Sequence, residues 1–381
     1  MDQSLAHSGP ARQPDAGHAT HGGRVFQTAR ALGISPDALL DASNNANSLA
    51  ADLTAEVLAG IRPEHRFYPD PTCAALRAAY AEAEALPEEH LLPVHGSAEG
   101  ILLTLLALRP RSVCILGPIF CEYPRLCDVL GIPWTLHALS PETGFTLTAR
   151  DRAALLASPA EAVILCSPGN PTGQAMEDLP DLVAELAASK QVIVDLAYRD
   201  FLHGSAAAAD HAPAALLAAV SRHAARVVLL TSLTKFFFCP GIRIGCVMAA
   251  PKTIARLAAL QPPWSVTQPA QDAGTVFLQR REDYRARLPA LRRLAAAHAA
   301  RLRQIPGVTG VLPTATNFLL LRLTPEHCAP AVTEAMAARH ILVRECDSIP
   351  GMPAGHLRLQ VRTTGENARV AEALASVLQP R

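Results

Sequence analysis

The sequence predicts an α/β fold: a large body with a mostly parallel sheet between helices, followed by a smaller α+β body. Short, continuous runs rich in valine and isoleucine alternate with Ala/Leu-rich stretches of helical spacing. Buried strands that alternate with helices indicate a parallel sheet covered on both faces. A proline-marked break at 260–264 precedes the change in pattern that suggests the second body.

Each element follows from its local pattern. In the large body, strands are expected at 113–117, 162–166, 191–195 and 226–230, and helices at 181–190 and 211–225. After the break, a long helical region rich in arginine, alanine and leucine is expected at 269–304. The smaller body is expected to contain strands at 317–323, 341–346 and 356–362, with a helix at 329–340.

These patterns divide the chain into a mobile tail, 1–20, an N-terminal segment, 21–51, a large domain, 52–260, and a small domain, 261–381. The tail is polar and rich in glycine, proline and alanine, without the apolar core of a signal peptide. No apolar run approaches the roughly 20 residues that a membrane span needs. We therefore expect a cytoplasmic protein with no membrane partner.

Charge and cysteine content exclude further classes of protein. Lysine plus arginine and aspartate plus glutamate both total 34, so the formal net charge is zero, whereas a nucleic-acid surface needs a basic excess. The 9 cysteines include no C-x-x-C pair and no zinc-type spacing, which favours reduced thiols in the cytoplasm.

A lysine and an arginine occur in the otherwise apolar segment LLTSLTKFFFCPGIRIG, 229–245. A nucleophilic lysine must be partly desolvated or close to other cations, so that its amine is free near neutral pH. Lys235, between an apolar run and a Pro-Gly pair, meets this need. The alternative is a lysine at a strand end whose ammonium extends into water.

This segment resembles the lysine segment of fold-type I pyridoxal-phosphate enzymes of the class I/II aminotransferase family. The resemblance implies pyridoxal 5′-phosphate as cofactor, Lys235 as the catalytic residue that holds its aldehyde, and a mostly parallel, seven-stranded sheet. It also implies that Arg243, eight residues on, binds the cofactor phosphate together with the hydroxyl groups of Ser232 and Thr234.

Three further residues are expected at the cofactor ring. Asp195 ends an apolar run, and a buried carboxylate there would keep the pyridine nitrogen protonated, although it could simply cap a helix. The resemblance implies that Tyr198 and Asn170 reach the ring oxygen. For Tyr198 the alternative is packing on the sheet.

The remaining cofactor contacts rest on three short segments. Gly96, Ser97 and Ala98 precede an apolar helix, whose N-terminal amides would bind the phosphate. In GPIFCEYP, 117–124, Tyr123 is expected to lie against the ring, the alternative being ordinary aromatic packing. In RFYPDP, 66–71, the resemblance implies that Tyr68 reaches the neighbouring subunit's cofactor phosphate, and thus a homodimer with shared sites.

Both ends of the sequence bear on the substrate. Residues 21–50 and 341–374 resemble the threonine-phosphate decarboxylases of cobalamin biosynthesis, with changes at Arg24, Ala42 and Ser48, and a further change from the wider family at His95. A phosphorylated amino-acid substrate is implied. The residues expected to bind it are His21, Gly22, Asn45, Asn170, Arg344 and Arg358.

Three functions remain open from the sequence. The first is decarboxylation of threonine phosphate, which the His-Gly-Gly opening and the ending VRTTGENARV favour. The second is an aminotransferase of the histidinol-phosphate type, since the same scaffold serves both reactions. The third is a non-enzymatic regulator on this fold, but the residues before His21 show no basic or helix-turn-helix pattern.

Overall fold

The computed structural model describes residues 21–62 and 66–379. The predicted mobile tail, 1–20, lies outside the described residues. The helices are α1 Val25–Leu32, α2 Ala51–Gly60, α3 Ala74–Glu84, α4 Gly96–Leu108, α5 Glu122–Val129, α6 Ala149–Ala157, α7 Leu179–Ala187, α8 Pro213–Ala219, α9 Leu233–Phe236, α10 Pro251–Ala258, α11 Gln268–Gln279, α12 Arg281–Arg285, α13 Leu288–Leu302, α14 Ala329–Ala337 and α15 Thr364–Leu378.

The strands fall into three sheets. They are β1 Leu40–Asp41, β2 Leu91–Val94, β3 Val113–Gly117, β4 Trp134–Ala138, β5 Ala162–Cys166, β6 Gln191–Asp195, β7 Val227–Ser232, β8 Gly245–Ala249, β9 Val308–Val311, β10 Phe318–Leu323, β11 Ile341–Leu342, β12 Arg344–Glu345 and β13 His356–Gln360.

The largest sheet has seven strands in the order β2-β8-β7-β6-β5-β3-β4. Strand β8 is antiparallel to both of its neighbours, and the remaining pairs are parallel. The prediction of a mostly parallel, seven-stranded sheet is confirmed. Because β8 is antiparallel to β7, the two strands are joined by a short segment rather than a crossover helix. That segment carries Lys235 and Arg243.

Alternate side chains of the central strands enter two different hydrophobic clusters. In β5, Ile164 belongs to the cluster that includes α4, α5 and α10, whereas Val163 and Leu165 belong to the cluster that includes α3, α6, α7 and α8. This is the two-residue period of a strand. Helices therefore cover both faces of the sheet, which explains why its central strands are continuous apolar runs.

The C-terminal part of the chain forms an antiparallel sheet of four strands, in the order β12-β13-β10-β9. The N-terminal segment joins it, because β1 pairs in parallel with β11 and the amide of Gln360 donates a hydrogen bond to the carbonyl of Ala42. The amide of Asn47 donates to the carbonyl of Lys235, so the same segment also contacts the connection between β7 and β8.

Two local differences from the expected pattern have physical causes. The helical region expected at 269–304 is divided into α11, α12 and α13. Pro289 lies in the first turn of α13, where a missing amide is harmless, but inside one continuous helix its ring would clash with the preceding turn. The strand expected at 341–346 is likewise divided into β11 and β12. None of the helices in the described part of the chain has the length and apolarity needed to cross a membrane.

Candidate active site

A cavity of about 450 Å³ lies at the carboxyl ends of β5, β6 and β7. This is where open α/β sheets place their ligands. The predicted site residues that line it are His21, Gly22, Asn45, Ser97, Ala98, Asn170, Asp195, Tyr198, Ser232, Thr234, Lys235, Arg243, Arg344 and Arg358. A second cavity, of about 510 Å³ beside α13, contains none of the predicted site residues.

Lys235 lies in the short helix α9, directly after β7. The hydroxyl of Ser232 caps this helix by accepting from the amide of Thr234, and the two hydroxyl oxygens lie 2.8 Å apart. Burial, followed by the nearby guanidinium groups of Arg358 and Arg243, lowers the pKa of the Lys235 amine to about 8. Roughly a tenth of these amines are therefore free at pH 7, far more than for an ordinary lysine.

Asp195, the last residue of β6, holds a buried carboxylate at the floor of the cavity. Its oxygens accept a hydrogen bond of 3.0 Å from the hydroxyl of Tyr123 and one of 2.9 Å from the amide of Ala197. Burial raises the pKa of Asp195, and these two bonds and Lys235 oppose that rise. A carboxylate in this environment is suited to bind a protonated ring nitrogen.

Tyr123 is fully buried beside Asp195, and it is not among the residues that line the cavity. The structure therefore shows it as a partner of Asp195. The expected contact of its ring with the cofactor stays a prediction.

We call the place where the β7–β8 connection meets the N-terminus of α4 the phosphate corner. A Cβ on Gly96 would lie 2.6 Å from Nη2 of Arg243, so a side chain at this position would displace the guanidinium. A Cβ on Gly245 would lie 2.5 Å from the carbonyl oxygen of Thr231 and 3.1 Å from the amide nitrogen of Ser97. The glycines thus allow a cation and helix N-terminal amides to approach one anion.

Two buried arginines form another side of the cavity. Arg358 donates to the side-chain oxygen of Asn170 and, at 2.7 Å, to the carbonyl of Ser43, but its buried Nε has no partner in the described residues. Burial lowers the pKa of Arg358. Arg344 donates to the hydroxyl of Ser348 at 3.2 Å and lies 3.9 Å from Glu345. These guanidinium groups retain donors for an anionic ligand.

The N-terminal segment lines one side of the cavity and is fixed by close contacts. A Cβ on Gly22 would lie 2.3 Å from the carbonyl oxygen of Ser43, so only glycine allows this approach. The side-chain amide of Asn45 donates to the hydroxyl of Tyr198, and the side-chain amide of Asn317 donates to the backbone carbonyl of Asn45 at 3.0 Å. Asn45, which is predicted to bind the substrate, is therefore held in place by residues far along the chain.

Both ring nitrogens of His21 have protein partners. Nε2 lies 3.0 Å from Oε1 of Glu122, and Nδ1 lies 3.5 Å from Sγ of Cys121. Hydrogen bonds to Cys121 and then Glu122 raise the pKa of His21 to about 9. This cluster was not predicted from the sequence, although both partners belong to the GPIFCEYP segment. Ser43 and Asn317 were not predicted as site residues either. Ser43 belongs to the segment 21–50 that carries the resemblance described above, whereas Asn317 has no functional signal in its local sequence.

Tyr68 also lies outside the lining of the cavity, as Gly96 and Tyr123 do. Its side chain is 76 % exposed and stacks on the ring of Trp264 with 4.4 Å between centroids. Phe67 beside it is 70 % exposed. These aromatic rings form an exposed patch in the described chain.

The sheet and the arrangement around Lys235 define the class of this protein: it is a pyridoxal-phosphate-dependent enzyme of fold type I. Residues 37–376 match the family model for aminotransferase class I and II, and the chain therefore belongs to that family. When bound, pyridoxal phosphate supplies an electron sink for a carbanion adjacent to the substrate's amine. The lysine, buried carboxylate and glycine-lined corner fit this cofactor.

Curated relatives match over almost their whole length. The chain is 32 % identical to the threonine-phosphate decarboxylase of Salmonella typhimurium, covering 95 % of this chain and 97 % of the relative. It is 30 % identical to the histidinol-phosphate aminotransferase of Symbiobacterium thermophilum, covering 93 % and 94 %.

Solved structures show the same fold. The L-threonine-O-3-phosphate decarboxylase of Porphyromonas gingivalis has a TM-score of 0.74 at 21 % identity, over 88 % of this chain and 98 % of that one. The histidinol-phosphate aminotransferase of Clostridium acetobutylicum has a TM-score of 0.75 at 21 % identity, over 89 % and 99 %.

Proposed function

We propose that this enzyme decarboxylates L-threonine O-3-phosphate to (R)-1-aminopropan-2-yl phosphate for cobalamin biosynthesis. The observation that carries the proposal is the pair of buried guanidinium groups, Arg344 and Arg358, in the cavity that also contains Lys235. A small substrate with a phosphate and a carboxylate offers two anions to these groups. The resemblance to the Salmonella decarboxylase supports the same assignment.

The arrangement of donors supports a phosphorylated substrate over a plain amino acid. Arg358 is oriented by Asn170 and Ser43, and both it and Arg344 line the cavity. A phosphate dianion has enough acceptor oxygens for several converging donors, and bonds between charged partners are the strong class of hydrogen bond. Threonine phosphate should therefore be preferred over threonine by orders of magnitude.

The residues of this chain then have separate tasks. Arg344 and Arg358 fix the anionic groups of the substrate, and thereby decide which bond at Cα is cleaved. Lys235, with its pKa of about 8, can return a proton to Cα after the carboxylate leaves. Asp195 holds a positive charge at the ring nitrogen.

A histidinol-phosphate aminotransferase is the second candidate, because such enzymes match this chain at nearly the same coverage. The same guanidinium pair would bind the phosphate of that substrate, and Lys235 would remove a proton from Cα. The third candidate, a non-enzymatic regulator, has the least support, because the relatives that match this chain include a decarboxylase and aminotransferases.

One incubation separates the two reactions. Purified holoenzyme is given threonine phosphate with and without 2-oxoglutarate, and CO₂ and glutamate are measured separately. The proposal expects CO₂ at equal rates in both samples and no glutamate. Glutamate formed only with 2-oxoglutarate, without CO₂, would replace the proposal by the aminotransferase. Histidinol phosphate serves as the comparison substrate.

We also propose that the enzyme is a homodimer with shared active sites. The exposed patch of Phe67, Tyr68 and Trp264 supports this, because large aromatic side chains are enriched at interfaces. Tyr68 would then complete the phosphate corner of the neighbouring subunit rather than that of its own.

A further inference from the structure

Three side chains at the edge of the cavity form a compact cluster, in which one donor atom of each lies within 4.8 Å of the others. His21 is the central member: its Nδ1 lies 3.5 Å from Sγ of Cys121, and its Nε2 lies 3.0 Å from Oε1 of Glu122. An imidazole that contacts a thiol through one nitrogen and a carboxylate through the other can activate the thiol as a nucleophile. The carboxylate orients the ring, and the ring can hold the proton of the thiol.

The carboxylate of Glu122 is held in one position. Arg125 donates to both oxygens of Glu122, with Nε 2.9 Å from each. Burial alone would raise the pKa of Glu122, but hydrogen bonds from His21 and Arg125 lower it to about 2. Glu122 is therefore ionised at neutral pH, and it favours the charged form of His21.

The position of Cys121 in the fold adds an independent effect. Cys121 is the N-cap residue of α5, an eight-residue helix, at the end where the helix dipole is positive, although its side chain makes no capping hydrogen bond. Helix N-termini and neighbouring histidine cations both stabilise thiolates. Cys121 is partly exposed and lines the cavity, whereas the other free cysteines are buried except for Cys328.

From this geometry we propose that Cys121 is a reactive thiolate that captures small disulfides at the entrance of the active site. The Cys121 thiolate attacks one sulfur of a low-molecular-weight disulfide, the disulfide bond breaks, and a new bond joins Cys121 to that sulfur. The other half leaves as a thiolate. Cys121 is oxidised and the leaving sulfur is reduced, so the exchange is balanced without another reactant.

The charged groups around the pair favour anionic disulfides. His21 and Arg125 flank Cys121 and Glu122. The cavity is also lined by four cationic side chains and two anionic ones, those of Arg243, Arg344, Arg358 and Lys235 and those of Asp41 and Asp195. The adduct occupies part of the cavity that contains Lys235, so its formation should hinder access to the cofactor. This inference does not rest on which substrate the enzyme uses.

The test is the pH dependence of thiol modification in the holoenzyme. The protein reacts with 4,4′-dithiodipyridine, and the rate at each cysteine is followed by released thiopyridone and peptide mass spectrometry. An ordinary thiol of pKa about 8.5 should slow about a hundredfold between pH 7.5 and 5.5. Cys328, which is exposed, gives the comparison rate in the same protein, and Cys121 should slow less than about fivefold.

Variants distinguish activation from mere exposure. Cys121→Ser should remove the fast reaction at pH 5.5, and Cys328→Ser should leave it. His21→Gln should slow Cys121 at least tenfold at pH 5.5 while a control peptide thiol is unchanged. A pH profile of Cys121 that follows Cys328, or a His21→Gln variant with the original profile, would overturn the proposal.

A metal site at this cluster is the alternative to a reactive thiolate. The donor atoms of His21, Cys121 and Glu122 lie within 4.8 Å of one another, so they could also hold a metal ion. Reaction of Cys121 only after treatment with a chelator would show a metal site instead and overturn the thiolate.

Blocking of the cavity is measured with hydroxylamine, which releases the cofactor from Lys235. Modified protein should react severalfold more slowly, and an equal rate would refute the blocking.

Discussion

Arg344 and Arg358 are directly opposite each other on the antiparallel strands β12 and β13. Two buried guanidinium groups in this arrangement repel each other, and burial adds to the cost of their charge. An anionic ligand removes both penalties at once. The pairing of these two strands therefore creates a site that favours the binding of phosphate or carboxylate.

Arg344 is the arginine whose removal tests this affinity most cleanly, because Arg358 also holds Asn170 and Ser43. Arg344→Gln should weaken transition-state binding by about 2–5 kcal/mol, since a charged partner is left underpaired in a buried site. Steady-state kcat/KM with threonine phosphate measures the effect. Arg322→Gln, on the exposed face of β10, is the matched control and should change little.

Lys235→Ala should abolish covalent attachment of the cofactor. Borohydride reduction followed by peptide mass spectrometry locates the attached lysine, because reduction makes the bond permanent. Lys252→Ala, an exposed lysine at the start of α10, should retain full labelling at Lys235. Trapped cofactor at an active-site residue of the Lys235→Ala protein would contradict the assignment.

The pH dependence of cofactor capture follows from the lowered pKa of Lys235. Only the free amine attacks an aldehyde, so the capture rate of apoprotein should rise about tenfold per pH unit below the pKa of about 8 and level off above it. Arg358 lowers this pKa and Asp195 raises it. Arg358→Gln should accordingly move the midpoint upward, and Asp195→Asn should move it downward. Opposite shifts, or a midpoint near 10, would be incompatible with this electrostatic account.

Asp195→Asn should bind cofactor but turn over slowly, because a neutral amide does not hold a proton on the ring nitrogen. We expect turnover to fall at least a hundredfold, equivalent to about 3 kcal/mol of barrier. The cofactor absorbance of the purified variant gives its occupancy, and kcat gives the loss. Turnover within about threefold of the parent would rule out the proposed role.

Shared active sites can be tested by mixing two inactive variants. Chains with Lys235→Ala and chains with Tyr68→Ala should together regain activity, since one site of each mixed dimer has both residues intact. Each variant must first be shown to be nearly inactive, and exchange of subunits must be demonstrated by mass spectrometry. Under those conditions, unrestored activity would refute sharing. Tyr80→Phe, a buried tyrosine, is a control that should not complement Lys235→Ala beyond its own activity.

The sequence predicted what depends on local pattern. Strands β3, β5 and β6 lie at the predicted residues because strands covered on both faces require unbroken apolar runs. Asp195 and Lys235 were found because each ends or follows such a run. The division of 269–304 into three helices depends on where Pro289 falls relative to a helix start, which periodicity does not show.

Other parts of the site depend on contacts between distant residues. Nothing in the local sequence of Asn317 indicates that its side chain holds the backbone of Asn45. The cluster of Cys121, His21 and Glu122 brings together His21 and Cys121, which are 100 residues apart in the sequence. Such relationships arise only when the N-terminal segment is placed on the large sheet.

The pairing of β1 with β11 also governs when the enzyme can become active during synthesis. Leu40 is made early, but its partner Ile341 is added about 300 residues later. At roughly 5–20 residues per second, this interval is on the order of 15–60 seconds on the ribosome. The large sheet has all of its strands by Ala249, so it can form well before the N-terminal segment gains its partner. Nascent chains can thus acquire Lys235 and the phosphate corner long before they are able to retain a substrate.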